Sequence, residues 1–328
     1  VSDSLPSVTI IIPARPDQSE IKAVVGARQL DYPADRLEII VARGKQPSVQ
    51  RNTAIKAARG ELIYFLDDDS VPPPANLRAA AKYFADPTVK MVGGPNLCPP
   101  DAPLLEQVFA VVLASWAFGP SRARYTPVGQ ARPASEKELI LCNLMARRAD
   151  LVELGGFNEA LYPNEENALM DELQKRGGKL IYDPQWIVHR RPRRSLKSFI
   201  KMLMTYGRGR AEQFRLHPTF GSALNFVPPL FCLYLVLLAA FAVAPVSPAV
   251  ATLKPWAAVP FAFYALFVLL LALASIPSSG IFRSALAVPL LAITNIFYGL
   301  GIWRGLFTRL KPEKDRAMVP VSLETVVR

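Results

Sequence analysis

Three cysteines in 328 residues, Cys98, Cys142 and Cys232, form an odd, widely spaced set with no C-x-x-C. That scarcity argues against a disulfide framework or a zinc site and fits a reducing compartment. Charge is missing from one long stretch: between Leu216 and Trp303 the only charged side chains are Lys254 and Arg283, although the chain carries 38 basic and 27 acidic residues. Such a stretch spans lipid or faces it. No apolar leader opens the chain either. VSDSLPS is polar and the first apolar run begins at Val8, so no N-terminal signal is expected and the membrane signals sit towards the C-terminus.

What is present is mixed. With 51% hydrophobic and 20% charged residues and a mean hydropathy of +0.21, the chain is too apolar for disorder and too charged to be wholly intramembrane. The net charge of +11 is concentrated rather than spread. Nine basic residues between Arg190 and Arg215 face one acid, Glu212, immediately before the apolar stretch. That placement suits anionic lipid headgroups and the positive-inside bias, so membrane lipids are the expected partner and nucleic acid is not. Within the block, Leu196, Phe199, Ile200 and Leu203 recur at helical spacing with Lys197, Lys201 and Arg208 elsewhere on the wheel, which reads as an interfacial amphipathic helix over 194–217. The pattern also fits a helix packed on the soluble domain.

The membrane region, 218–305, contains three apolar segments, 226–244, 256–276 and 284–303. The first two are long enough to cross about 30 Å of hydrocarbon at about 1.5 Å per residue. The third carries Pro289, Thr294, Asn295, Gly299 and Gly301, and a basic tail over 306–328 follows it. Three crossings would put that tail opposite the first basic block, against the positive-inside rule, so two crossings with a re-entrant third segment stand beside three full crossings.

Ahead of the basic block, short apolar runs at Val8–Ile12, Leu37–Ala42 and Leu62–Leu66 alternate with helical stretches, as in an α/β domain whose mostly parallel sheet is covered on both faces. Ligands in such sheets bind beyond the carboxyl ends of the strands, here Pro13-Ala14-Arg15, Arg43-Gly44-Lys45 and Asp67-Asp68-Asp69. Three adjacent carboxylates repel one another unless water or a cation screens them. They therefore read either as a site for a hard divalent ion or as a solvated turn before a helix near Asn76.

The run ELIYFLDDDSVPPP (Glu61 to Pro74), the preceding Gln50-Arg51-Asn52-Thr53-Ala54, the VTIIIPA opening, and the blocks Cys142-Asn143-Leu144-Met145-Ala146-Arg147-Arg148 and GGFNEALYPNEENALMDELQKRGGKLIYDP together resemble a family 2 glycosyltransferase of the GT-A fold, over roughly residues 7 to 215. The likeness is closest to membrane-attached bacterial enzymes that build exopolysaccharide or lipid-linked sugars. It implies a GT-A catalytic domain over 1–193, a divalent cation (Mg²⁺ or Mn²⁺), a nucleotide-diphosphate sugar donor and a lipid-linked or glycan acceptor. Residue by residue, it implies donor binding at Pro13, Ala14, Arg15, Arg51, Asn52, Asp67 and Asp68, and metal ligation by Asp67, Asp69 and His189. Glu166 falls at the general base and Glu165 at the acid before it. Arg190, Arg191, Arg193 and Arg194 would meet diphosphate or lipid headgroups, and Gly94, Trp116 and Asn143 would lie on the acceptor side. The implied location is the inner (cytoplasmic) membrane, with the catalytic domain facing the cytoplasm.

The chain departs from the family pattern in places. Ala42-Arg43-Gly44-Lys45 stands where many relatives carry nucleotide-recognising acids, Glu166 replaces the usual aspartate, and Ala168 stands where an acid is expected two residues later. No Q-x-x-R-W occurs, because Gln185 leads QWIVH and Gln213 leads QFRLH. The missing acids after the second strand leave a catalytically silent membrane scaffold on the same fold as one alternative; a processive polysaccharide synthase is the other, and the missing signature, which processive relatives carry, argues against it.

Overall fold

A computed structural model describes residues 5–161, 164–216, 225–308 and 320–326. The chain divides into two units. The first comprises Val1–Ala102, Phe118–Arg191 and Lys311–Arg328, and the second Pro103–Ala117 and Pro192–Leu310.

In the first unit, strands β1 (Val8–Ala14), β2 (Leu37–Arg43), β3 (Leu62–Leu66), β4 (Val89–Gly93), β6 (Arg132–Pro133), β7 (Asn143–Arg147), β8 (Lys179–Tyr182) and β10 (Ser322–Val326) form one sheet in the order β10-β2-β1-β3-β7-β4-β8-β6. Two short strands, β5 (Asn96–Leu97) and β9 (Val188–His189), pair separately. The runs expected as strands form β1, β2 and β3, which are mutually parallel. Strands β4 and β8 share their direction, whereas β6, β7 and β10 oppose it, so the sheet is mostly but not wholly parallel.

Alternation along the strands builds a core on each face, since successive side chains point to opposite sides. Ile10, Ile12, Ile39, Val41, Tyr64 and Leu66 join one cluster with residues of α1 (Lys22–Arg28) and α3 (Asn76–Ala81). Ile11, Ile40, Ala42, Ile63 and Phe65 join the other with α2 (Pro47–Ala57), α5 (Arg148–Glu153) and α6 (Glu165–Lys175).

The second unit holds α4 (Leu104–Ala114), α7 (Leu196–Leu216), α8 (Val227–Val243), the short α9 (Pro248–Ala251) and α10 (Lys254–Ala257), α11 (Val259–Ser279) and α12 (Ile281–Phe307). Helix α4 lies between Gly94 and Trp116, two of the residues expected on the acceptor side. The apolar face of α4 packs within this unit, with Phe109 stacked on Phe199 of α7 at 4.3 Å between ring centres. Helix α7 covers the expected amphipathic span as far as Leu216, and its buried residues Phe199, Met202, Leu203 and Gly207 are covered by protein. Residues 217–224, at the junction of the expected helix and membrane regions, lie outside the described residues, as does 309–319 of the basic tail with Arg309, Lys311, Lys314 and Arg316. The end of that tail is not a free extension, because β10 pairs with β2 from Ser322↔Arg43 to Val326↔Ile39.

The apolar segments also rank differently from expectation. Residues Pro248–Ser279 and Ile281–Phe307 are each long and apolar enough to cross a membrane, while α8, at 17 residues, is shorter. Helix α12 runs unbroken through Pro289. Packing with its neighbours stabilises the weak stretch around Gly299 and Gly301, which propensity alone left in doubt.

Candidate functional site

The all-apolar, fully buried β3 delivers the chain directly into Asp67-Asp68-Asp69. The turn is anchored behind the acids: Ser70 N–H donates to Asp67 O at 3.0 Å, and Val71 and His189 exchange backbone hydrogen bonds at 2.9 Å each way. This bridge places Arg190, the next residue, against the acids. Its Nη2 lies 3.0 Å from Asp67 Oδ2 and its Nε donates to Asp69 Oδ1 at 2.8 Å. From the opposite side α2, started by Pro47 in its first turn, presents the buried Arg51. Arg51 Nη2 reaches Asp67 Oδ1 at 3.0 Å and Nη1 reaches Glu165 Oε1 at 3.4 Å. Asp69, Arg190, Asp67, Arg51 and Glu165 thus form one chain of alternating charge from the strand end to the first turn of α6.

The start of α6 is strained. Asn164 precedes it at φ 149°, the one non-glycine residue with positive φ among the described residues. Asn164 N–H donates to Glu165 Oε2 at 2.9 Å, and Asn167 Nδ2 donates to the Asn164 side chain. Glu165 is buried, 2% exposed, and burial together with the neighbouring Glu166 pushes its carboxyl up to about 7 despite Arg51. Consecutive helix residues point about 100° apart. Glu165 turns inward to Arg51, and Glu166 remains half-exposed.

A pH dependence follows. Because the folded-state value of Glu165 lies above its ordinary 4.5, the native protein holds a proton that the unfolded chain has already lost between about pH 4.5 and about 7. The contribution of Glu165 to native stability therefore falls across that window and levels off above it. Glu165→Gln removes this contribution, so the difference in Tm between wild type and variant should shift against the wild type from pH 4.5 to pH 7. A constant difference would contradict the raised value.

The other expected site residues divide into two groups. Asp68 accepts from Gln18 Nε2 at 2.7 Å, beside the Pro13-Ala14-Arg15 strand end, and Gln50 Nε2 donates to both Ala14 O at 2.8 Å and Ala42 O at 2.5 Å. Gln50 thereby pins the ends of β1 and β2; the Gln-Arg-Asn run marked the segment, but the role of Gln50 depends on a contact that spacing does not encode. Asn52 serves packing: Nδ2 donates to Phe157 O and Glu159 Oε1, both at 2.9 Å, while Phe157 N–H donates to its Oδ1 at 2.8 Å. Asn143 is also wholly committed inside the domain, accepting from Tyr64 Oη at 2.9 Å and donating to Trp186 O at 2.6 Å. Gly94 is buried against the Trp186 carbonyl, which leaves no room for a Cβ there. Arg191 ends the first unit, whereas the exposed Trp116, Arg193 and Arg194 belong to the second.

No three His, Cys, Asp or Glu side chains among the described residues converge as a metal-holding group, so the expected set Asp67, Asp69 and His189 is not assembled as three ligands. Asp67 and Asp69 still fit a divalent ion. They are two partly exposed carboxylates on one turn, and Mg²⁺ commonly takes one or two carboxylates and completes its shell with water and phosphate oxygens.

Residues 1–205 match the family model described as glycosyltransferase-like family 2. Among curated proteins, the pre-mycofactocin glycosyltransferases of two Mycobacterium tuberculosis strains are 24% identical over 233 residues, 64% of this chain and 48% of theirs. The chain thus spans about half the length of the curated relatives it matches. Among solved structures, the mannosyltransferase PcManGT from Pyrobaculum calidifontis in complex with GDP-Man and Mn²⁺ shares the fold, with a TM-score of 0.62 at 19% identity over 93% of this chain and 88% of that one.

Proposed function

We propose that this chain, which belongs to glycosyltransferase-like family 2, transfers a sugar from a nucleotide-diphosphate donor to an acceptor hydroxyl with inversion, while attached to a membrane through α11 and α12. The observation that carries the reading is the charge chain Asp69–Arg190–Asp67–Arg51–Glu165, which ends beside a second, half-exposed carboxylate, Glu166. It supplies the two functions such a transfer needs: charge stabilisation for a departing diphosphate and a base for a weakly nucleophilic hydroxyl.

Arg190 is the group best placed to meet diphosphate: Asp69 and Asp67 hold its Nε and Nη2 in place on this turn, and its remaining Nη protons can pair with phosphate oxygens. Arg51 holds Asp67 from behind and ties it to Glu165, fixing the distance between donor and acceptor sides. Glu166 accepts the proton from the attacking hydroxyl on its carboxylate. Glu165, committed to Arg51, positions that turn. A divalent cation at Asp67 and Asp69 would add Lewis-acid stabilisation of the leaving diphosphate. Thermal-shift screening of nucleotide sugars, GDP-Man among them, with Mn²⁺ or Mg²⁺ tests the reading: stabilisation by a nucleotide sugar that needs the metal is expected. A panel without any metal-dependent binder would contradict it.

Two complete crossings best fit the membrane region. β10 follows the apolar helices and pairs with β2, which precedes them, so the number of complete crossings between these strands is even. α8 is the segment left out. Tyr234, in its first half, donates to Ala257 O at 2.8 Å and accepts from Phe261 N–H at 3.1 Å, so α11 begins beside the first half of α8 rather than beyond its end. A crossing α11–α12 hairpin with a re-entrant or interfacial α8, inserted in an inner membrane with the catalytic unit in the cytoplasm, accounts for both. With a membrane-impermeant thiol reagent applied from outside, Ser279→Cys should label and Ser247→Cys should not; the reverse pattern would mean that α8 crosses. The acceptor is a lipid-linked or growing envelope glycan in this reading.

A further inference from the structure

Helix α7 carries Lys197, Lys201 and Arg208 at positions i, i+4 and i+11, which fall within about 40° of one another at 100° per residue. Met204 lies on the same stripe, and Ile200 and Thr205 flank it. The stripe is held beside α12 by glycines. A Cβ on Gly207 would overlap the Tyr298 carbonyl, one on Gly301 the Met204 carbonyl, and one on Gly305 would lie 2.6 Å from the Arg208 carbonyl. The two backbones meet closely there, as small residues permit between membrane helices. Their long side chains are forced to the margin, where they line an open pocket of about 360 Å³ formed by Lys197, Ile200, Lys201, Met204, Thr205, Arg208 and Arg304.

Four cations therefore converge on one cavity with apolar walls. Among the described residues Arg208 alone of the four is ion-paired, to Glu212 Oε1 at 3.4 Å, and Glu212 is not part of the lining. That ion pair runs through Arg208 Nε and falls short of a hydrogen bond. Convergent like charges without carboxylates call for an anion with several acceptor oxygens, and Ile200 and Met204 call for an apolar portion beside it. Arg304 lies in the last turn of α12, the helix end where a headgroup would be met.

We propose that this cavity binds the phosphate headgroup of an anionic membrane lipid, with Lys197, Lys201, Arg208 and Arg304 on the phosphate and Ile200 and Met204 against the start of the acyl chains. The proposal rests on the membrane-attached reading and is independent of the sugar chemistry. The test uses the full chain in nanodiscs of phosphatidylcholine doped with phosphatidylglycerol, read by native mass spectrometry of the lipid retained on release. Wild type should retain phosphatidylglycerol selectively, and Lys201→Ala with Arg304→Ala should lower that retention by about tenfold or more. Arg283→Ala, at the other end of α12, should retain it as wild type does. Equal loss in the Arg283 variant, or retention unchanged in the double variant, would overturn the site in favour of diffuse attraction or none. Competition by millimolar inorganic phosphate as effective as that by dihexanoyl phosphatidylglycerol would also overturn it, leaving a free-phosphate site. Failure of the wild-type chain to enter nanodiscs would instead sink the membrane reading beneath it.

Discussion

Glu166→Gln should lower turnover by roughly 10² to 10⁴ while leaving donor affinity nearly unchanged. The exchange preserves size and hydrogen bonding but removes the ability to take the acceptor's proton. Glu166 rather than Glu165 carries this expectation because the two diverge at the start of α6: Glu165 is buried on Arg51, whereas Glu166 is half-exposed and not drawn into the charge chain. Glu165→Gln removes one end of that chain and should act chiefly by loosening Arg51 and Asp67, raising KM for the donor more than it lowers kcat. If Glu165→Gln abolishes turnover and Glu166→Gln does not, the roles are exchanged. If neither slows transfer, this helix does not supply the base; only a wild-type chain that transfers nothing would favour a silent scaffold.

Gly94→Ala should be the most damaging small substitution in the catalytic unit. Its Cβ would overlap the Trp186 carbonyl oxygen and lie 2.7 Å from that of Asp183, so the obstacle is backbone and cannot rotate away. Trp186 cannot shift freely, since its Nε1 donates to Asn76 O at 3.0 Å and its carbonyl accepts from Asn143. Displacement would propagate through β9, where Val188 and His189 pair with Asn96 and Leu97, to Arg190 and hence to the acids. A cost of about 3 kcal/mol is expected, a fall in Tm of roughly 6 to 12 °C, accompanied by weaker donor binding. A variant within about 2 °C of wild type would show that the approach at Gly94 is looser than described.

The parts of the fold visible in the sequence were those governed by periodicity over a short window. Val8–Ile12, Leu37–Ala42 and Leu62–Leu66 are apolar runs whose alternate residues fill the two faces of one sheet, and they formed three central strands. Asn143–Arg147 was recognisable as a motif but not as a strand running against its neighbours, because direction is set by which partners it meets. Ser322–Val326 was hidden further, since a strand carrying glutamate at the end of a basic tail shows itself only through pairing with β2. At the site, the acids, Arg51 and the Glu165-Glu166 pair could be read as residue types in a resembling pattern. That Arg190 would bridge Asp67 and Asp69 follows instead from the Val71–His189 backbone bridge, a contact between residues more than a hundred positions apart. Asn143, which lies in a resembling block, and Gly94, which lies in none, carry the opposite lesson: their contacts in the fold are packing contacts that residue type does not reveal.

The central claim is that Asp67 and Asp69, with Arg190 between them, form the donor site. Asp69→Asn tests it most directly, by calorimetric titration of a nucleotide sugar into the full chain with and without Mn²⁺. Asp69 sits on a half-exposed turn, and its amide keeps the oxygen that accepts from Arg190 Nε while losing only the charge, so the variant should fold with a Tm close to wild type. Metal-dependent binding should be present in wild type and lost in Asp69→Asn, with Asp67→Asn weakening it as well. Equal affinity in wild type and Asp69→Asn in the presence of Mn²⁺ would contradict the assignment of this turn as the donor site.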